Sequence, residues 1–189
     1  MKKQEARSLF KQKRLELSFQ EIESLSEKIC ATLFTNFQLE EKTISVFLPI
    51  EQQREINTFK ILEKLISVGA TVAIPKSEMG NNTLIHYKFE SHAQLKISEY
   101  GIPEPINGEV IPPEKFDFVF VPLLAVDKSG HRIGYGKGFY DRFLQQCSSE
   151  CLFIGLHLFD EFIEIEDIDT HDIQLNYCVT PTKIIHFEK

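Results

Sequence analysis

A glycine-rich segment that carries a lysine and an early aspartate is the clearest chemical feature of this sequence. It reads RIGYGKGFYD, Arg132 to Asp141, and places Lys137 between Gly136 and Gly138. Glycines let the backbone approach an anion closely, and a lysine adds a mobile positive charge. The aspartate can hold a metal ion that neutralises phosphate. These residue types indicate a phosphate-binding loop, and the alternative is a flexible glycine connection without chemistry.

The elements on either side of this segment must position it. The run from Val119 to Val126 is continuously apolar, which is typical of a strand buried on both faces of a parallel sheet. Asp127 to Gly130 has turn chemistry and ends that strand. From Phe139 the apolar residues recur with helical spacing, so the loop leads into a helix N-terminus, which attracts anions. The spacing matches neither the P-loop pattern G-x-x-x-x-G-K-[ST] nor the dinucleotide pattern G-x-G-x-x-G.

Length and composition limit the class of protein. The chain has 189 residues, 42% of them hydrophobic, so we expect one domain over residues 1–189. A net charge of −7 argues against nucleic acid as a partner. No apolar run reaches about 18 residues and no signal peptide is visible, so we expect a cytoplasmic protein without a membrane segment. Reduced thiols, rather than disulfides or metal ligands, are therefore predicted for Cys30, Cys147, Cys151 and Cys178.

The first segment is predicted to form a helix over residues 2–17. Four basic residues share one face of it, at spacings i, i+4, i+8 and i+11: Lys3, Arg7, Lys11 and Arg14. A basic face on a terminal helix is usually solvated, and the residues alone leave that interpretation open. Ser18 to Glu21 is a capping box that begins a second, core-facing helix.

The remaining segments alternate between strands and helices. A strand is predicted from Thr43 to Leu48, followed by a polar loop that contains Glu55 and by a helix from Phe59 to Val68. The order of elements indicates an α/β fold with a mostly parallel sheet and helices on both faces. Ligands bind such sheets in the loops after the carboxyl ends of the strands, which makes the Glu55 loop a candidate site. Further strands are predicted at residues 71–74, 84–89, 152–158, 177–180 and 183–187.

The segment RIGYGKGFYDRFL, Arg132 to Leu144, resembles the signature of the 5-formyltetrahydrofolate cyclo-ligase family, which is approximately R-L-G-x-G-x-G-Y-Y-D. The strand before it, Val121 to Asp127, matches the family's V-P-x-x-A-F-D. The resemblance implies a three-layer α/β/α sandwich of Rossmann-like type. Shorter matches are Lys3 and Arg7 to a K-x-x-x-R, Glu55 to Thr58 to E-[IV]-[DE]-T, Tyr100 to Pro105 to G-I-x-E-P, and His171-Asp172 to H-D.

The resemblance implies ATP-dependent conversion of 5-formyltetrahydrofolate to 5,10-methenyltetrahydrofolate, with release of ADP and phosphate. ATP would phosphorylate the formyl oxygen to give an iminium phosphate, which N10 of the folate then attacks. Enzymatic phosphoryl transfer depends on positioning and charge stabilisation, so cations, glycines and Mg²⁺ are expected and a protein nucleophile is not. The expected enzyme is a C–N bond-forming ligase that takes a small-molecule substrate, without nucleic acid or membrane, as a monomer or weak homodimer.

The family's functional positions carry over to this sequence residue by residue. Catalytic roles fall on Arg132 and Lys137, and the Mg²⁺ ligands are Asp141 and Asp172. The positions implied to bind folate are Leu48, Glu55, Tyr135, Gly136, Lys137, Gly138 and Phe139. The positions implied to bind ATP are Lys3, Arg7, Arg132, Ile133, Gly134, Tyr135, Gly136, Lys137, Gly138, Phe139 and Tyr140.

Three positions depart from the family pattern: Phe139 stands in place of Tyr, and Asn57 and Asn176 stand in place of acids. Two other functions therefore stay open. The chain could be a non-catalytic folate- or nucleotide-binding module, or a sugar-phosphate or CoA-ester enzyme whose loop binds phosphate. The joint presence of Lys137, Asp141 and Asp172 favours the cyclo-ligase.

Overall fold

A computed structural model describes residues 1–188. The fold of these residues is organised around one seven-stranded sheet. Two two-stranded ribbons, β4–β5 and β7–β8, flank that sheet. The helices are α1 (Lys3–Glu16), α2 (Phe19–Asn36), α3 (Phe59–Ser67) and α4 (Phe139–Leu144). The strands are β1 (Thr43–Ser45), β2 (Thr71–Glu78), β3 (Thr83–Lys88), β4 (Leu95–Ile97), β5 (Pro103–Pro105), β6 (Phe118–Pro122), β7 (Ala125–Val126), β8 (Arg132–Ile133), β9 (Leu152–Leu156), β10 (Tyr177–Val179) and β11 (Ile184–His186).

The strand order of the large sheet is β11-β10-β9-β6-β1-β2-β3. The pairs among β1, β2, β6, β9 and β10 are parallel, and β3 and β11 join the two edges antiparallel. Numbered along the chain, the five parallel strands stand in the order 2-1-3-4-5, which is a doubly wound arrangement. The order reverses between β1 and β6, and the crevice at such a reversal is where these sheets bind ligands.

Side chains of β6 alternate between the two faces of the sheet, and each face is covered by helices. Phe118 and Phe120 pack with apolar residues of α2 and α3, whereas Val119 and Val121 pack with Phe143 of α4. This arrangement confirms the predicted three-layer α/β/α fold with a mostly parallel sheet. Helix α1 belongs to a third apolar cluster around the β7–β8 ribbon, at the edge where the glycine loop begins.

Several predicted strands have different bounds in the structure, and the strand predicted from Thr43 to Leu48 ends at Ser45. The apolar run 119–126 is not one strand, because β6 ends at Pro122 and β7 pairs with β8 outside the large sheet. Proline has no N–H to continue the ladder, and the chain leaves the sheet there. Conversely, β2 continues through Pro75 to Glu78. Its neighbour β1 has ended at Ser45, opposite Ala73, so only β3 pairs with β2 at Pro75.

One local prediction is confirmed by the hydrogen bonds at the start of α2. The capping box is present, since Glu21 N–H donates to Ser18 Oγ and Ser18 N–H donates to the Glu21 carboxylate. Cys30, Cys147 and Cys178 are thiols, and burial raises the pKa of Cys178 to about 12. Among the described residues, no helix has the length and apolarity needed to cross a bilayer.

Candidate active site

A cavity of about 810 Å³ opens at the carboxyl ends of β1 and β6, where the strand order reverses. Leu48 follows β1, Pro122 ends β6, and both line the cavity. The other walls come from the N-terminus of α1, from β2 and β3, from residues 100–103, from the glycine loop and from residues 169–172. The volume is in the range of small-molecule sites, about 300–1,000 Å³. The fold therefore brings distant parts of the sequence to one cavity.

The lining of this cavity combines apolar side chains with charged side chains of both signs. Its five cations are Lys3, Arg7, Arg132, Lys137 and Arg142, and its four carboxylates are Glu55, Asp141, Asp169 and Asp172. The cations exceed the carboxylates by one, and net positive charge in a concave site raises the local concentration of an anionic ligand. The apolar lining includes Phe47, Leu48, Ile50, Leu84, Ile102 and Phe139, together with Tyr100. The cavity is suited to a ligand with both an anionic and a flat apolar part.

The glycine loop is held at its backbone by two arginines. Arg7 Nε donates to the Gly134 carbonyl at 2.9 Å, and Arg142 Nη1 donates to the carbonyls of Lys137 and Gly138 at 3.0 Å. Gly136 has φ +89°, and a Cβ there would lie 3.1 Å from the guanidinium carbon of Arg7. These contacts require glycine at that position and fix the loop, which disfavours a flexible connection.

Lys137 projects from this loop toward the opposite wall. Its Nζ lies 5.3 Å from the Tyr100 ring centroid and 4.0 Å from Met79 Sδ. Within residues 1–188 its ammonium group makes no ion pair with a carboxylate. Lys137 is therefore able to bind an anionic ligand without breaking an ion pair.

The two predicted metal ligands already have cationic partners. Asp141 Oδ1 accepts from Arg132 Nη2 at 2.7 Å and from the Ile173 N–H at 3.2 Å. Asp172 Oδ2 accepts from Lys3 Nζ and from the Asp169 N–H. Among residues 1–188, no three His, Cys, Asp or Glu side chains are grouped to hold a metal ion. Two carboxylates still suit Mg²⁺, because this ion commonly binds one or two carboxylates together with substrate phosphates and water.

Glu55 joins the loop after β1 to the glycine loop. It is buried, and its Oε2 accepts the Ile50 N–H at 2.8 Å while its Oε1 accepts the Tyr135 hydroxyl at 2.5 Å. Burial, and secondly the charge of Glu55, raise the pKa of Tyr135, so the phenol keeps the proton that it donates. Arg14 approaches this pair from α1, with Nη1 3.6 Å from Glu55 Oε1.

The structure brings most of the predicted site residues together around the cavity and places two further arginines beside them. All predicted site residues line the cavity except Ile133, which is 1% exposed and packs in the apolar cluster of α1. Arg142, which orients the glycine loop, was not predicted. Arg14 had a sequence signal, its place on the helix face of Lys3 and Arg7, but its burial depends on tertiary packing.

Two of the three departures from the family pattern lie outside the cavity. Asn57 Nδ2 donates to Glu23 on α2, and its Oδ1 accepts the Phe59 N–H at the start of α3. Asn176 Oδ1 accepts the Phe153 N–H at 2.9 Å and so supports β9. Neither asparagine lines the cavity as described over residues 1–188. Of the three, only Phe139 changes the surface that a ligand meets.

The doubly wound sheet, the charged cavity at its reversal point and the braced glycine loop are features of the α/β class of enzymes that take a small ligand at this edge of the sheet. The chain belongs to the 5-formyltetrahydrofolate cyclo-ligase family, whose model matches residues 1–181. The resemblance seen in the sequence is thereby confirmed, and the chain is an enzyme of the cyclo-ligase class.

Known proteins with this fold and activity are similar over most of their length. The 5-formyltetrahydrofolate cyclo-ligase of Escherichia coli (strain K12) is 30% identical over 146 residues, which cover 75% of this chain and 79% of the relative. The enzyme of the same name from Mus musculus is 30% identical over 152 residues, covering 77% and 70%. The structure of Aquifex aeolicus 5,10-methenyltetrahydrofolate synthetase has a TM-score of 0.84 and 30% identity, covering 100% of this chain and 94% of that one.

Proposed function

We propose that this enzyme cyclises 5-formyltetrahydrofolate to 5,10-methenyltetrahydrofolate in a reaction that consumes ATP, requires Mg²⁺ and releases ADP and phosphate. One observation carries the nucleotide and metal dependence: five cations, a braced glycine loop and the carboxylates of Asp141 and Asp172 lie around the same cavity. A formamide oxygen is a poor leaving group. Phosphorylation of that oxygen gives an iminium phosphate, N10 attacks its carbon, and phosphate leaves.

The phosphate-binding part of the proposal uses the cationic lining. Lys3, Arg7 and Lys137 provide positive charge from two elements, and the backbone around Gly136 lies open to the cavity. Asp141 and Asp172 would hold Mg²⁺, which when bound neutralises phosphate charge. Asp172 also holds Lys3, and Asp141 holds Arg132, so each carboxylate positions one cation. Positioning and charge stabilisation of this kind are the main contributions of enzymes to phosphoryl transfer.

The folate-binding part of the proposal uses Glu55 and the apolar lining. A carboxylate has about four acceptor sites, and Glu55 uses two for the Ile50 N–H and the Tyr135 hydroxyl. The remaining capacity can accept N–H groups of the pterin, while Leu48 and Phe139 pack against its ring. The enzyme is further proposed to be cytoplasmic and a monomer or weak homodimer, and buried thiols such as Cys178 suit a reducing compartment.

The direct test is incubation with 5-formyltetrahydrofolate, ATP and Mg²⁺ while the near-ultraviolet absorbance of the methenyl product is followed. We expect one ADP for each methenyl product formed and no turnover with EDTA or without nucleotide. Equal product formation in EDTA would exclude the proposed metal dependence. Binding of the folate without turnover would favour the non-catalytic module instead, and absence of folate binding would favour a phosphate-ester enzyme.

Replacement of Glu55 with glutamine should weaken formylfolate binding by about 1–3 kcal/mol, because the variant loses a charged hydrogen bond to the substrate. The affinity for ATP, measured by calorimetry with the same preparation, should change little, since Glu55 lies in the loop after β1. Glu51→Gln is the matched control, because Glu51 is exposed in the same loop and does not line the cavity. A selective loss of ATP affinity would reverse the assignment of this loop.

A further inference from the structure

Helix α1 carries a buried arginine that does not line the cavity. Arg14 is 5% exposed. Its Nη1 donates to the Tyr135 hydroxyl at 3.1 Å and lies 3.6 Å from Glu55 Oε1, and its Nη2 donates to the carbonyl of Leu123. A charged side chain is almost never buried to this degree unless it is paired. Its burial therefore depends on its contacts with Tyr135, Glu55 and the Leu123 carbonyl.

The hydrogen bonds of this group run in one direction. The Tyr135 hydroxyl accepts from Arg14 and donates to Glu55, which fixes the order Arg14, Tyr135, Glu55. Three separate elements meet in this chain of bonds: α1, the glycine loop and the loop after β1. Neighbouring hydrogen bonds within a network polarise one another, and the network specifies a single arrangement when every member is satisfied. The bonds from Arg14 through Tyr135 therefore fix the position and orientation of the Glu55 carboxylate at the cavity.

Among residues 1–188, Arg14 is also the cation that lies within ion-pair distance of Glu55. His157 packs near it, but burial first, and the charge of Arg14 second, lower the pKa of His157 to about 3, so this imidazole is neutral. Tyr140 of α4 is likewise neutral, since burial and then Glu55 raise its pKa. Lys11 lies over the ring of Tyr135, 5.2 Å from its centroid. Removal of Arg14 would leave a buried carboxylate without its counter-charge, which is strongly unfavourable.

We infer that Arg14 is a positioning residue for the folate substrate: it holds the Glu55 carboxylate and the Tyr135 hydroxyl in the arrangement that accepts formylfolate. It acts through these two groups and does not touch the substrate. This inference rests on the proposed function, in which Glu55 binds the folate. It extends the site beyond the cavity wall to the buried side of α1.

The experiment compares Arg14→Met, Arg14→Lys and Tyr135→Phe with the unaltered enzyme, using kcat, KM for both substrates and the Kd of formylfolate by calorimetry. Arg14→Met should raise the Kd and KM of formylfolate about 10- to 100-fold, the range for a hydrogen bond to a charged group. The KM of ATP should change much less. Arg14→Lys should recover part of the affinity, because lysine keeps the positive charge. The recovery should be incomplete, because lysine lacks the planar guanidinium group that donates to two acceptors at once. Lys13→Met on the same helix is the control, since Lys13 pairs with Glu161 away from the cavity.

The double variant Arg14→Met with Glu55→Gln separates positioning from a general structural role. If Arg14 acts through Glu55, the double variant should bind formylfolate within about twofold of Glu55→Gln alone. Additive losses, or a lowered thermal midpoint with unchanged Kd in Arg14→Met, would overturn the inference. If Arg14→Met does not fold, Tyr135→Phe and Arg14→Lys provide the test in its place. Each of these two variants should weaken formylfolate binding, and unchanged binding in both would overturn the inference. Absence of formylfolate binding or turnover in the unaltered enzyme would instead refute the proposed function.

Discussion

Replacement of Lys137 with alanine is expected to lower kcat about a hundredfold or more, equivalent to about 3 kcal/mol in the barrier, while the fold is kept. The ammonium group makes no ion pair with a carboxylate in the described chain and faces the cavity from between two glycines. It can therefore stabilise the charge that moves between ATP and the formyl oxygen. Its one aromatic contact, to Tyr100, is near the surface and contributes little to folding.

The measurement pairs kcat with the thermal midpoint of the same variant. Exposed substitutions usually change stability by less than about 0.5 kcal/mol, so the midpoint should barely move. Lys128→Ala is the matched control, because Lys128 is exposed in the turn before β8 and does not line the cavity. A near-normal kcat for Lys137→Ala would mean that the glycine loop has only a structural role and that other residues carry out the reaction.

Replacement of Asp141 with asparagine is expected to lower both activity and stability. The carboxylate pairs with Arg132, whose side chain is 6% exposed, and it accepts the Ile173 N–H. Arg132 also donates to the Ile173 carbonyl, so the pair ties the 169–173 loop, with Asp172, to α4. Loss of the charge should cost about 1.5–3 kcal/mol of folding free energy, since one partner is left buried without its counter-charge.

The activity of Asp141→Asn should show a raised requirement for Mg²⁺, by at least about tenfold, in titrations of turnover against metal concentration. Denaturant unfolding of the same variant measures the change in its free energy of unfolding. The double variant Asp141→Asn with Arg132→Met removes both charges, and it should recover part of the lost stability but no activity. Glu150→Gln, at an exposed position after α4, is the control. An unchanged Mg²⁺ requirement would limit Asp141 to a structural role.

Residue types and their spacing are sufficient to predict the features that depend on neighbouring residues. The capping box at Ser18 depends on bonds across three residues, and the glycine spacing depends on local backbone angles, with Gly136 and Gly138 at positive φ. The helix face shared by Lys3 and Arg7 follows from the helical repeat. For these features the residue types and their spacing contain the physical cause, and the family signature could be recognised from them.

Which of these residues meet and which are buried depends on tertiary packing and not on local spacing. The bond from Arg14 to Tyr135 spans 121 residues of sequence, and the bond from Tyr135 to Glu55 spans 80. Ile133 faces the core because β8 pairs with β7 outside the sheet, and no local pattern contains that pairing. Contacts at such separations depend on how α1 packs against the β7–β8 ribbon. Spacing placed Arg14 on the correct helix face, but packing turned that face toward Glu55 rather than toward solvent.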